Sequence, residues 1–312
     1  MAYEGDQCID AGSEYCPCYL AEMNQCITCS RLKGKTDCSC HWRGVCIYQD
    51  FHFLNYKKKD VRTYQEAEIL EREKQGESLL IFTLKTSHTL ARQLKQPGSY
   101  IFIRNRELEH YFDIPISIMA VDELQNQIKI AVEIHGIKTK SIATVSDKLL
   151  IRGPYWNGLF GLEHLKQAKE KQCLMILRGI AQAPAALATK YLLRAKNQID
   201  LIIDQGMGKV QLFSEDSRWN ILESDCNLYS PDVIKRLRKH LALGDYQLVL
   251  LGGSDYLQAT LSPVFEEFKG LQVVRTNNQE ICCGEGICGA CIVYDASGIP
   301  IRSCKTQITE SK

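Results

Sequence analysis

Apolar and polar positions alternate in two successive styles along the middle of this 312-residue chain, and both ends lack either style. From Val61 the runs are short and strand-like. Residues 64–73 and 79–85 read as two strands joined by a polar turn at Gly76, and Pro97-Gly98 opens a third over 99–104. Residues 116–121 and 127–134 follow, with Asp122-Glu123-Leu124-Gln125-Asn126 as the hairpin tip between them. Strands at this spacing predict an antiparallel barrel or sandwich of about 100 residues, ending near Gly153-Pro154.

The period then changes. Residues 173–177 form a short apolar strand, a helix is expected from about Pro184 to Lys196, and 199–204 is a second strand. A helix over 233–241 precedes a third strand at 247–251, which leads into Gly252-Gly253. Strands alternating with helices predict a parallel sheet with crossover connections. The basic side of the later helix, Lys235, Arg236, Arg238 and Lys239, reads as a solvated face. Residues 1 to about 56 are dense in Cys, Gly and polar residues, so little apolar surface is available and order should come from something they ligate. The expectation is a multidomain α+β chain: a Cys-rich module (1–58), a β-barrel (59–158), a parallel α/β domain (159–272) and a small Cys-rich tail (273–312).

Composition is ordinary except for cysteine. The net charge of +1 gives no reason to expect nucleic acid or an anionic membrane as partner. No apolar run approaches the roughly 18 residues of a membrane span. Met1-Ala2-Tyr3-Glu4-Gly5-Asp6 lacks the basic and apolar regions of a secretory signal, so a cytoplasmic location is expected. Fifteen cysteines are present, eight between Cys8 and Cys46 and five between Cys282 and Cys304. In a reducing compartment such clusters bind metal or do redox chemistry more often than they form disulfides. Cys173, inside an apolar run, reads as a small buried hydrophobe.

The C-terminal cysteines are spaced Cys283-x4-Cys288-x2-Cys291-x12-Cys304, the plant-type 2Fe–2S pattern. Three thiolates on one tight loop would wrap the cluster and the fourth would come from a distant segment. Gly284, Gly286 and Gly289 let the loop adopt positive φ and bring N–H groups to the sulfurs. Residues 292–294 and 299–301 read as a hairpin returning the chain to Cys304, while Cys282, in the wrong register, is a neighbour. The competing reading is zinc, but zinc sites usually pair two short C-x2-C units and only one occurs here.

This order of parts, with Cys283-Gly284-Glu285-Gly286-Ile287-Cys288-Gly289-Ala290-Cys291, resembles the ferredoxin–NADP reductase-like family, in particular its PyrK-type branch, over residues 61–312. The resemblance implies FAD between barrel and α/β domain, a pyridine nucleotide as a possible donor, and a partner oxidoreductase or electron carrier beyond the cluster. Pro97-Gly98-Ser99-Tyr100 is similar to the family's strand opener, and Gly153-Pro154-Tyr155-Trp156-Asn157-Gly158 to its interdomain connection. Pro115, Ile116 and Ser117 stand in the family's Arg-Pro-Ile-Ser motif, and Gly136, Lys138, Thr139 and Lys140 at its second FAD-phosphate loop. Ile114 replaces the arginine, removing a bidentate phosphate clamp for which Lys138 or Lys140 could compensate as point charges. The nucleotide loop is reduced to Gly179, Ala183 and Pro184, with Leu177 and Arg178 obstructing it. Gly252 and Gly253 precede Asp255, which would repel phosphate.

The remaining cysteines are Cys8, Cys16, Cys18, Cys26, Cys29, Cys38, Cys40 and Cys46, enough for two tetrahedral sites, with His41 a bystander. A further iron–sulfur centre, favoured by the redox context, competes with structural zinc, favoured by the lack of a C-x2-C-x2-C run. Two functions follow. One is an electron-transfer flavoprotein component linking FAD and a 2Fe–2S cluster to a partner, with NAD(P)H as a candidate donor. The other is a non-enzymatic redox sensor or scaffold whose FAD and nucleotide sites have degenerated.

Overall fold

A computed structural model describes residues 7–295 and 297–308; the leader-like question at Met1–Asp6 lies outside them. The chain divides into two compact units, one of residues 1–64 with 279–312 and the other of 65–278. The two cysteine-rich ends therefore share a unit, and the barrel and α/β sheet share the other.

In the first unit, helices α1 (Tyr19–Glu22) and α2 (Ile47–Phe53) surround a small apolar cluster of Cys16, Ala21, Cys26, Cys29, Leu32, Ile47 and Phe51. Three of its seven members are cysteines, so this core is small without them.

The larger unit opens with strands β1 (Tyr64–Gln75) and β2 (Leu79–Lys85), helix α3 (His88–Gln93), then β3 (Tyr100–Asn105), β4 (Ile114–Asp122) and β5 (Gln127–Glu133). Helix α4 (Ile137–Ala143) and strand β6 (Lys148–Tyr155) complete a closed barrel of order β1-β2-β5-β4-β3-β6. β2 is apolar on both faces for a reason. Leu80, Phe82 and Leu84 fill the barrel with Ile101, Ile103 and Ile130, while Leu79 and Ile81 pack outward with Ala131, Ala183 and Val210. That outward patch clamps the barrel to the α/β sheet.

The sheet comprises β7 (Leu159–Phe160), β8 (Gln172–Arg178), β9 (Gln198–Asp204), β10 (Asn220–Ser224), β11 (Leu248–Gly252) and β12 (Gln272–Thr276), in the order β10-β9-β8-β11-β12-β7. All pairs are parallel except β12 with β7. Helices α5 (Leu162–Gln167), α6 (Gln182–Arg194), α7 (Pro231–Leu243) and α8 (Asp255–Glu266) connect the strands. Chain direction across the sheet reverses between β8 and β11, the switch point at which such sheets hold ligands. Cys173 is fully buried in β8, and Arg236 and Arg238 on α7 pair with Glu223 and Glu267 at the surface. In the first unit a last hairpin, β13 (Ile292–Tyr294) with β14 (Pro300–Arg302), leads the chain into Cys304.

Candidate functional site

The larger unit carries a cleft of about 670 Å³ between the barrel and the carboxyl ends of β8 and β11, a size typical of small-molecule sites. Pro115, Ile116 and Ser117 of β4 line its barrel side, and Gly179 and Gly253 its sheet side. Ala183 and Pro184 line it as well, whereas Gly136, Lys138, Thr139, Lys140 and Gly252 do not. Gly252 is packed against Leu177 and Ala181, where a Cβ would come within 3.1 Å. The loop at Gly136 is the start of α4, and the Thr139 hydroxyl is spent there, accepting from the amides of His135 and Gly136. Lys140 is exposed on the same helix.

Lys138 is placed differently. Its Nζ donates to the carbonyl of Asp113 at 3.2 Å, which brings an ammonium to the start of β4, one residue from Ile114. Arg104 and Arg152 are also nearby, but both hold the buried Asp113 carboxylate, at 3.1 and 3.3 Å.

On the sheet side, only one of the two expected obstructions stands in the cleft. Leu177 is fully buried in the sheet, because alternate residues of β8 face its helices, and Arg178 lines the cavity. Arg178 is fixed by Asp204 at 3.0 Å and lies over the Tyr229 ring. Asp255 is not among the lining residues and accepts from Asn278 at 3.1 Å. Buried Gln182 and Gln258 brace the two glycine turns, donating to the carbonyls of Gly179 and Gly253 at 3.2 Å. Residues that sequence reasoning missed include Glu133, His135, Gly206, Asn277 and Asn278. Nothing in their local sequence marks them, since they reach the cleft through strand ends far apart in the chain.

Among the described residues, none of the fifteen cysteines is in a disulfide. In the first unit the loop of the C-terminal cysteines turns through positive φ at Gly284, Gly286 and Gly289, and the amide of Glu285 donates to Cys283 Sγ at 3.3 Å. Burial pushes the Cys283 thiol up, but amides of Cys288, Glu285 and Ile287 outweigh it and hold it below the ordinary thiol range. The cysteines meet in two pairs. Cys283 and Cys288 are hydrogen-bonded to each other, as are Cys291 and Cys304. The hydrogen bond from Cys304 draws Cys291 down to about 6 and raises Cys304 itself. The hairpin makes the second pair, since Ser303 donates to the Cys291 carbonyl at 3.0 Å across β13 and β14. Among the described residues, no three Cys, His, Asp or Glu are gathered tightly enough to clasp a single ion.

Beneath this loop lies a buried ion quartet. Arg62 donates to Asp10 at 3.0 Å and to Glu285 at 3.2 Å, and Lys305 pairs with Asp10 and, at 2.9 Å, with Glu285. The side chains of Arg62, Lys305 and Asp10 are 1%, 1% and 3% exposed. Burial alone would raise the Asp10 carboxyl, yet Lys305 and Arg62 hold it below its usual value. Arg62 also stacks on Tyr15, 3.9 Å from the ring centre. Two partners of the quartet flank cysteines of the loop, Glu285 after Cys283 and Lys305 after Cys304.

No family model matches the chain. A structure described as the NADH-dependent reduced ferredoxin–NADP oxidoreductase of flavin-based electron bifurcation superposes with a TM-score of 0.62 at 17% identity, over 76% of this chain and 85% of that one. The ferredoxin reductase of carbazole 1,9a-dioxygenase superposes at 0.52 and 14% identity, over 70% of each chain. This is the ferredoxin–NADP reductase-like fold. In sequence, the chain is 26% identical over 224 residues to the dihydroorotate dehydrogenase B (NAD(+)) electron transfer subunit of Fusobacterium nucleatum, covering 68% of this chain and 83% of that protein. The PyrK-type resemblance read from the motifs therefore stands. No helix among the described residues is long and apolar enough to cross a membrane.

Proposed function

We propose that this chain is an electron-transfer flavoprotein component, exchanging electrons between FAD in the cleft, a 2Fe–2S cluster at Cys283, Cys288, Cys291 and Cys304, and a partner oxidoreductase. The observation that carries the reading is the pairing of the four C-terminal thiols. A tetrahedral zinc ion draws four sulfurs to one centre, whereas a binuclear cluster takes two sulfurs on each iron. The hydrogen-bonded thiol pairs Cys283–Cys288 and Cys291–Cys304 match that two-by-two division. Amides aimed at Cys283, and the Lys305 ammonium behind Cys304, favour the negative charge such a ligand set carries.

For FAD the fit is of shape first. Pro115, Ile116 and Ser117 present a strand edge to an open cavity. Lys138 supplies a cation beside Ile114, though as a point charge and without the fork of an arginine. When bound, FAD would supply the conversion between two-electron and one-electron transfer, and the cluster single-electron carriage. The protein's residues bind, orient and screen these groups. Exposed Ile287 beside exposed Cys288 offers an apolar contact at the loop for a partner. NAD(P)H as donor belongs to the same reading, through the switch-point glycines, with Arg178 narrowing that half of the cleft.

The test is cofactor content after anaerobic purification, with an electron paramagnetic resonance spectrum of dithionite-reduced protein. Flavin together with a 2Fe–2S signal supports the proposal, and the absence of both flavin and iron overturns it. Iron without any affinity for added FAD would favour the sensor or scaffold reading, to which Ile114 points. The eight N-terminal cysteines belong to the proposal as ligands of a further iron–sulfur centre or zinc.

A further inference from the structure

The eight N-terminal thiols are divided by the fold in a way the sequence does not announce. Cys8, Cys16, Cys18 and Cys26 wall one small apolar cavity of about 20 Å³, closed by Leu20 and Ile47. None of Cys29, Cys38, Cys40 or Cys46 lines it. The electrostatic neighbours of Cys8, Cys16 and Cys29 fall the same way. Cys8 feels Cys18, Cys16 feels Cys26 and Cys18, and Cys29 feels Cys40 and Cys46. Cys26 and Cys29 also feel each other, because the Cys29 amide donates to the Cys26 sulfur at 3.4 Å. Backbone amides already point at the sulfurs: Asp10 at Cys8, Gly12 at Cys16, Thr28 and Cys29 at Cys26, and Arg31 and Leu32 at Cys29. Such donors stabilise metal-bound thiolate and orient it.

We propose that these cysteines form two independent tetrathiolate sites for thiolate-seeking metals, an inner one of Cys8, Cys16, Cys18 and Cys26 and an outer one of Cys29, Cys38, Cys40 and Cys46. This rests on the reading that the N-terminal thiols bind metal, and it separates the two cysteines of the Cys26-x2-Cys29 unit. The cavity is about one atom wide and the sulfurs are not yet at bonding range, so binding draws the short loops inward. The inner site alone is stitched to the C-terminal tail: Cys8 bridges to Thr306, and the Ile9 amide donates to the Lys305 carbonyl at 2.7 Å. Cys38 and Cys46 of the outer site are exposed.

The wild-type protein provides the test without risk of misfolding. Metal is withdrawn stepwise with a chelator, released thiols are alkylated, and labelled cysteines are identified by mass spectrometry beside iron, zinc and sulfide analysis. The expected result is release in two groups of four, Cys29, Cys38, Cys40 and Cys46 first and Cys8, Cys16, Cys18 and Cys26 later. Co-release of Cys26 with Cys29 ahead of Cys8, or of all eight together, overturns the division. Metal content provides the second readout. Cys18→Ser and Cys40→Ser should each remove one site's metal and together remove both, whereas Cys16→Ser added to Cys18→Ser removes no more. Loss of both metals in either single variant refutes independence. A wild-type chain with metal only at the C-terminal loop overturns the underlying reading along with this one. Iron with equimolar sulfide marks a cluster, and zinc alone a structural site.

Discussion

Replacing Asp10 by Asn probes the ion quartet with almost no change of shape. Each carboxylate oxygen of Asp10 holds one cation, Oδ1 taking Arg62 and Oδ2 taking Lys305. The substitution leaves two buried cations, both 1% exposed, beside the Glu285 carboxylate, whose side chain is 20% exposed and so partly screened. Removing one partner of a buried pair costs about 3–5 kcal/mol, because the remaining charge stays desolvated. Against a stability of about 5–15 kcal/mol that is a large fraction. For a unit of about 100 residues it corresponds to a midpoint lowered by more than about 12 °C. The assay is hydrogen exchange in rising urea. Peptides around Ile9 and Thr306, tied together by the hydrogen bond from the Ile9 amide to the Lys305 carbonyl, should lose protection early, while peptides from β2 and β8 keep theirs. Lys148→Ala is the control: its pair with Glu66 is 43% and 49% exposed, so solvent screens it and its loss should change stability far less. A loss of under about 1 kcal/mol for Asp10→Asn would refute the argument. Replacing all four quartet residues with apolar groups of similar volume is expected to be far less damaging than the single change.

Four further outcomes are expected. Cys304→Ser should abolish the visible absorbance and paramagnetic signal of the cluster while flavin content stays unchanged, measured on anaerobically purified protein. Ser117→Ala removes one hydroxyl from the cleft wall and should weaken FAD binding by about 1 kcal/mol, roughly fivefold, by fluorescence titration. Gly98→Ala places a Cβ at φ +77°, 3.0 Å from the Trp156 carbonyl, and should cost more than about 1 kcal/mol in urea unfolding of the larger unit. Arg178→Ala clears the sheet side of the cleft and should speed bleaching of bound flavin by NADH or NADPH in stopped flow; slower bleaching would show that Arg178 holds the nucleotide.

Legibility varied with how completely a segment is buried. β2, β8, β9 and β11 were visible because burial on both faces leaves nearly unbroken apolar runs. β10 is half-exposed and β7 is only two residues long, so neither leaves a pattern. The segment Gly136-Ile137-Lys138-Thr139-Lys140, read by resemblance as a phosphate loop, forms the start of α4, with Ile142 fully buried and the first turn closed by the Thr139 hydroxyl. β12 straddles the boundary drawn at residue 272, and α8 lies inside the α/β span without having been singled out.

The cysteine spacing by itself determined which residues are the candidate ligands, since a short loop with three glycines limits where its thiols can reach. It also determined the two-domain pattern of the middle, because a period of two and a strand–helix alternation each bury their apolar positions in only one kind of layer. Tertiary structure decided the rest: the pairing of Cys283 with Cys288 and of Cys291 with Cys304, the arrival of Lys138 beside Ile114, and the union of the two cysteine-rich ends around Asp10, Arg62, Glu285 and Lys305. The reason is that a buried charge needs its counter-charge within hydrogen-bond reach. Here the partners stand as far apart in the chain as Asp10 and Lys305, a separation no local pattern encodes.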